Sequence, residues 1–240
     1  MKLDWLIGEY NNFQQYWQEN TEEEIHRVDT AHRHHHRHLE CISGENSESV
    51  VLKLYAGRAK ENLISEHVLK VDSDTVTLNG KSIDANRRSL EMQNGFLKMD
   101  NGDIHFSGME MLEDCKDAPY VFKPCRYFSG WIQYPPDINK PDELYSLRDL
   151  EIHDQGGYVE LDVDGVDYTV ELTQLIYAKT LKVMKLAIYD LPKSEVDINS
   201  KAICYTWAEP ETTRLGINIR KVISGWTLIE PGFINSNNLN

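Results

Sequence analysis

The sequence predicts a mostly β protein, an antiparallel β-barrel with a short N-terminal helix. Two observations carry this. Three Asn-Gly pairs, at 79–80, 94–95 and 101–102, each lie between segments of alternating hydrophobicity, the strongest short-range hairpin signal a sequence holds. Roughly ten strand-length segments follow one another with tight turns and few helical stretches between them. A sheet of that size must close or fold over on itself to protect its edges. A barrel with a ligand-sized interior is the expected outcome.

At the N-terminus, Leu6, Tyr10, Phe13 and Trp17 recur at helical spacing, which predicts one amphipathic stripe. Gly8 weakens its first turns, so the start reads equally as a tight entry into the fold. The acidic run Glu22 to Glu24 reads as a solvated connection. Next comes a segment from His26 to Ile42 that carries six of the nine histidines. At period two it places His32, His34, His36 and His38 on one side of a strand, and Arg33, His35, Arg37, Leu39 and Cys41 on the other. The odd-numbered side shares Leu39 and Cys41 and is the candidate interior; the even-numbered histidines are expected to face outward.

Strands are expected at residues 50–55 and 63–71, with a meander over 62–107, while 114–124 reads as irregular. An aromatic-rich strand over 125–134 ends at Pro135-Pro136. Further strands are expected at 144–153, 158–163, 166–172, 201–208, 215–223 and 225–229, and the ambiguous stretch 175–189 is assigned to strand on its Val, Ile, Tyr and Thr content. There is one internal echo, Phe128-Ser129-Gly130-Trp131 and Ile223-Ser224-Gly225-Trp226. Glycine there permits a bend against a large indole. The expected organisation is one domain over 1–234 and a disordered tail over 235–240.

Composition narrows the function. A formal net charge of -14 argues against a phosphate backbone as the main partner, so nucleic-acid binding is the least expected class. No signal peptide is visible, and the apolar stretch 172–191 is interrupted by Lys179, Lys182 and Lys185, which excludes an ordinary membrane span. A soluble, cytoplasmic protein is expected. Cys41, Cys115, Cys125 and Cys204 form no C-x-x-C pair and are expected as reduced thiols. An exposed edge strand is compatible with a homodimer.

Histidines two apart on a strand lie about 6.6–6.8 Å apart on one face, near enough for His34 and His36 to converge on a metal. His67, His105, Glu40 or Glu66 are the available third ligands, and nothing in the spacing selects among them. The simpler reading is no metal, with exposed or mutually hydrogen-bonded imidazoles. If the row is buried, the fold should loosen below about pH 6 as like charges accumulate.

The opening Trp5-Leu6-Ile7-Gly8-Glu9-Tyr10-Asn11-Asn12-Phe13-Gln14-Gln15, followed by alternating histidines and later by Cys125-Arg126-Tyr127-Phe128, resembles the CpcT/CpeT family of phycobiliprotein chromophore lyases in its longer bacterial version. The resemblance covers about residues 3–165. It implies a lipocalin-like barrel that holds a linear tetrapyrrole (bilin) as ligand or substrate, needs no further cofactor, and assists thioether attachment to a cysteine of an acceptor protein. Such a pocket must neutralise two propionates, for which Arg33, Arg37 and Arg126 are the cations, with His35, Tyr10 and Trp131 as further ligand contacts. Glu9 or Glu66 would supply the acid near the pyrrole nitrogens. The family's Tyr-Arg-Gln-Arg element corresponds here to residues 63–68, which lack both arginines. The alternative reading is a non-enzymatic calycin-type barrel for another small ligand or a metal.

Overall fold

The computed structural model describes residues 6–26, 34–46, 48–57, 60, 62–72, 75–83, 98–100, 103–106, 120–135, 137, 139–140, 142–177, 180–219 and 222–229. They are mostly antiparallel β with one α-helix, as expected from the hairpin signals. The chain divides into two compact units, residues 1–125 and 126–240.

The first unit holds strands β1 (Gly8–Asn11), β2 (Arg37–Ser43), β3 (Ser49–Ala56), β4 (Asn62–Asp72), β5 (Thr75–Leu78), β6 (Lys81–Ile83), β7 (Lys98–Asp100), β8 (Asp103–Phe106) and β9 (Tyr120–Pro124), with helix α1 (Phe13–His26) between β1 and β2. The strands form one sheet in the order β6-β5-β4-β3-β2-β1-β9-β8-β7. Spatial neighbours are therefore sequence neighbours throughout, except where the first strand pairs with the last. Among the described residues the order ends at β6 and β7, which are consecutive in the chain. Register places Tyr10, Leu39, Leu54 and Ser65 in one cross-strand row, and Gly8, Cys41, Leu52 and His67 in the next. Opposed residues share a face, and the apolar members of these rows are buried.

Helix α1 starts later than the Leu6–Trp17 stripe predicts. Gly8 lies at φ 152° in extended β1, and the paired asparagines then break the strand. The Asn11 side-chain oxygen accepts the Phe13 N–H at 2.8 Å, and the Asn12 carbonyl accepts the Tyr16 N–H at 2.9 Å, so Asn12 caps the helix. The acidic run Glu22 to Glu24, expected as a connection, belongs to α1. The Asn79-Gly80 turn is formed, with φ of 51° and 77°, the left-handed pair that a two-residue hairpin requires. β7 and β8 pair across positions 101–102, as the third Asn-Gly signal predicts; Asn94-Gly95 and the tail lie outside the described residues. β9 was not anticipated, since residues 114–124 read as irregular.

The second unit holds β10 (Tyr127–Tyr134), β11 (Tyr145–His153), β12 (Gln155–Val163), β13 (Val166–Tyr177), β14 (Leu181–Tyr189), β15 (Cys204–Ala208), β16 (Arg214–Asn218) and β17 (Ile223–Leu228). They form two four-stranded sheets, β11-β10-β17-β16 and β12-β13-β14-β15, which contribute Phe128, Ile132, Val170, Leu186, Leu215 and Trp226 to one core. The strand assignment of the ambiguous 175–189 stretch holds. None of the three sheets closes on itself among the described residues.

The internal echo has a structural cause. β10 and β17 pair so that Gly130 opposes Trp226 and Trp131 opposes Gly225. Each glycine makes room for the other strand's indole: a Cβ on Gly130 would collide with the Trp226 ring and the Gly225 carbonyl, and one on Gly225 would lie 3.1 Å from Trp131. Trp226 is buried and Trp131 exposed, so only the first contact lies within the core. Gly130→Ala should therefore cost about 2–3 kcal/mol by overpacking, measured by urea denaturation. Gly80→Ala, which meets open space, should cost only about 1 kcal/mol for its left-handed backbone.

Candidate functional site

The histidine segment is not a free row. Its first described residues, 34–36, precede β2 without regular structure, and β1 and α1 hold them side chain by side chain. Asn12 donates to the His35 carbonyl at 2.8 Å and accepts the Arg37 N–H at 2.7 Å, satisfying two backbone groups where the segment enters β2. Glu19 accepts the His34 N–H at 2.8 Å and lies 2.7 Å from its Nδ1, while Gln15 accepts the Val121 N–H at 2.9 Å. The His36 ring stacks on Tyr16 at 5.2 Å, and His34 meets Tyr120 edge-on at 4.5 Å.

These contacts fix tautomers. The Asn11 oxygen already accepts from Phe13 and lies 2.7 Å from His36 Nε2, so that ring nitrogen donates. The same orientation turns Asn11 Nδ2 toward His38 Nδ1 at 3.3 Å, which leaves the His38 proton on Nε2, 3.0 Å from Glu9 Oε2. His34 and His38 are buried and His35 is exposed. This corrects the expectation that the even-numbered histidines face outward. Alternation fails before β2, and the amide and carboxylate partners that make burial tolerable come from β1 and α1. The repulsion expected of a buried row is offset by Glu19 beside His34 and Glu9 beside His38.

The opposed residues Glu9 and Glu40 would repel if left bare. Lys60, from the β3–β4 turn, places its Nζ 2.7 Å from Glu9 Oε1 and 2.7 Å from Glu40 Oε1, and Tyr55 donates to Glu40 Oε2 at 3.0 Å. Partial burial works to lower the Lys60 pKa, but the hydrogen bonds and charges of both glutamates outweigh it and the net shift is upward. Lys60 also sits at φ 53°, a backbone region unfavourable to a side-chain-bearing residue. Sequence reading missed Lys60, because its role exists only once β1 and β2 are paired.

The remaining predicted residues are dispersed. Glu66 faces Lys53 at 3.8 Å with half its side chain exposed. The Tyr10 hydroxyl donates to the Leu6 carbonyl at 3.1 Å, and burial pushes its pKa up, with Cys41 and Cys125 adding to the shift. Burial likewise pushes the Cys41 thiol up. Arg37 donates from Nη1 to the His36 carbonyl at 3.1 Å. Arg33, His105 and Cys115 lie outside the described side chains. In the second unit, Arg126 Nε lies 2.6 Å from Asp154 Oδ2, and its backbone N–H donates to Oδ1 at 3.0 Å. Asp154 is fully buried and also accepts from Gln174 at 2.6 Å. Burial pushes its carboxyl up against the opposing pull of Arg126 and Gln174. Trp131 is exposed on β10.

For His34, His36 and His67 as metal ligands, the arrangement is unfavourable. His34 and His36 engage different partners, and His67 accepts at Nδ1 from Asn79 at 2.7 Å. No family model, curated protein or solved structure matches the chain. No described helix is long and apolar enough to cross a membrane.

Two outcomes follow from these pairs. The Lys60 pKa is raised on folding, so its stabilisation is complete below its unfolded pKa of about 10.4 and is lost as pH rises through the higher folded value. Lys60→Ala should flatten the alkaline limb of the stability profile, and Lys60→Gly, which relieves the left-handed backbone, should be about 1 kcal/mol more stable than Lys60→Ala. Asp154→Ala leaves a half-buried guanidinium without its carboxylate and should cost about 3 kcal/mol, read from urea midpoints.

Proposed function

We propose that this protein is a small-ligand-binding β-barrel of calycin type whose ligand is a linear tetrapyrrole, handed to an acceptor protein by a lyase-like step. The observation that carries the reading is the circular strand order of the first unit. β1 pairs with β9, every other neighbour is sequential, and the two edges are consecutive strands, the connectivity of an up-and-down barrel with one seam. The second unit has the same circular order, from β10 round to β17, split between its two sheets. The Gly-Glu-Tyr-Asn-Asn-Phe-Gln-Gln opening supports the family reading: Glu9, Asn11, Asn12 and Gln15 all contact the histidine segment or β9, so motif and histidines form one structural unit.

A second reading, a binding protein without transfer activity, is favoured by a separate observation. Glu9 is engaged by Lys60 and His38, and Arg126 by Asp154, so two groups assigned to bilin chemistry already have protein partners. Titration with phycocyanobilin and with biliverdin tests both readings. Binding should shift and sharpen the ligand's red absorbance band, and Arg37→Ala should weaken it roughly tenfold, the loss of one charge-assisted contact. An unchanged spectrum with both pigments sinks the tetrapyrrole reading. Binding without a thioether adduct on an added phycobiliprotein β subunit leaves the carrier and removes the lyase.

A further inference from the structure

The apolar face of the nine-stranded sheet carries two polar atoms that its own packing does not explain. Ser65 Oγ and His67 Nε2 are shielded from solvent and have no hydrogen-bond partner among the described residues. Their register partners on β3, Leu54 and Leu52, are buried, as are Leu39 and Cys41 beyond them on β2. A shielded donor without an acceptor is costly in an apolar setting, and native structures seldom retain one without cause.

His67 is held in a defined state. Asn79 Oδ1 accepts the Val68 N–H at 2.9 Å, which orients the amide and aims Nδ2 at His67 Nδ1, 2.7 Å away. The amide N–H donates to that ring nitrogen, so the ring proton sits on Nε2. Burial lowers the pKa of this histidine, with Glu66 only partly opposing, and the ring is neutral at pH 7. His67 thus presents one uncharged N–H donor, and Ser65 two positions earlier on the same face presents a hydroxyl.

Access distinguishes this pair from similar atoms elsewhere. Ser224 Oγ and Trp226 Nε1 also have no hydrogen-bond partner among the described residues, but both residues are almost wholly buried in the second unit. Ser65 and His67 are only half-buried, whereas Leu69, further along the same face of β4, is buried. The face therefore passes from closed at Leu39, Cys41 and Leu69 to partly open at these two residues.

We propose that Ser65 and His67 are the polar anchor of a ligand site on the apolar face of the nine-stranded sheet, and that they bind an uncharged carbonyl-type acceptor, a ketone, ester or lactam, at one end of an apolar molecule. The proposal rests on the barrel reading above and specifies which end of the ligand meets β4. An uncharged donor pair among leucines selects a neutral acceptor, because a carboxylate there would lose its hydration without gaining a counter-charge.

Two fluorescent probes test the site without a bilin. Prodan, an uncharged aromatic ketone, emits further to the red when its carbonyl accepts a hydrogen bond; diphenylhexatriene is apolar and has no acceptor. Both should bind the full chain. His67→Phe should weaken Prodan roughly tenfold, the range of one net hydrogen bond, and shift its bound emission to the blue, while diphenylhexatriene binding stays unchanged. Ser65→Ala, a smaller change, should move Prodan in the same direction with the thermal midpoint preserved or raised. Prodan affinity and emission that ignore both substitutions overturn the proposal, as does failure of either probe to bind the wild-type chain. Prodan bound through His67 beside a silent biliverdin titration keeps this site and removes the tetrapyrrole; a biliverdin shift indifferent to His67→Phe, with Prodan equally indifferent, does the reverse.

Discussion

The first unit depends on the way Asn11 and Asn12 end one element and start the next. Two adjacent amides stop β1, cap α1 and satisfy the backbone of residues 35–37. An extended chain leaving a helix and entering a sheet would otherwise leave N–H and C=O groups unpaired where water is excluded, at a cost of about 1–3 kcal/mol each. Because the asparagines also set the tautomers of His36 and His38, the same interaction determines which ring nitrogens donate. The His34 and His36 imidazoles serve the same demand, reaching Glu19 of α1 and Asn11 of β1 from a stretch that precedes β2.

Charge is handled by close pairing. The chain is strongly acidic, and pairing β1 with β2 brings Glu9 opposite Glu40. One lysine between them, held in a strained backbone conformation, converts that repulsion into a clasp. The second unit meets a similar problem at Asp154, where a buried carboxylate receives a guanidinium, a backbone N–H and an amide. In both places the cation once expected to wait for a ligand, or the acid expected to act on one, is part of the protein's own electrostatic balance.

Period-two patterns and turn residues made the antiparallel class legible, because side-chain alternation and left-handed turns are local properties. Asn79-Gly80 shows this best: its two positive φ values are what the dipeptide predicts. What depended on pairing was not legible. The helical stripe through Leu6 and Tyr10 was spacing without a helix, since Gly8 and the two asparagines impose a break that periodicity does not weigh. Alternation through the histidines assumed a continuous strand, whereas β2 begins only at Arg37. Lys60 and Asp154 acquire their roles from residues twenty or more positions away. The echo around Trp131 and Trp226 was visible as repetition, but its meaning, each glycine facing the other's indole, required the register of β10 against β17.

The same distinction bears on ligand binding. Arginine and histidine drew notice in the sequence because their chemistry is conspicuous, and in the folded chain several of those groups are engaged: His34 with Glu19, His38 with Glu9, Arg126 with Asp154. A group already paired gives up that partner when it turns to a ligand, so its net gain on binding is small. A shielded donor without a partner has nothing to give up. Each hydrogen bond it forms with a ligand removes a cost already present in the free protein, and selectivity for an acceptor at that position follows from the same balance. In the first unit the described atoms of that kind include Ser65 Oγ and His67 Nε2, residues whose types alone would not single them out. On the proposed reading, the capacity to bind depends less on the charged cluster at β1 and β2 than on two uncharged groups opposite the leucines of β3.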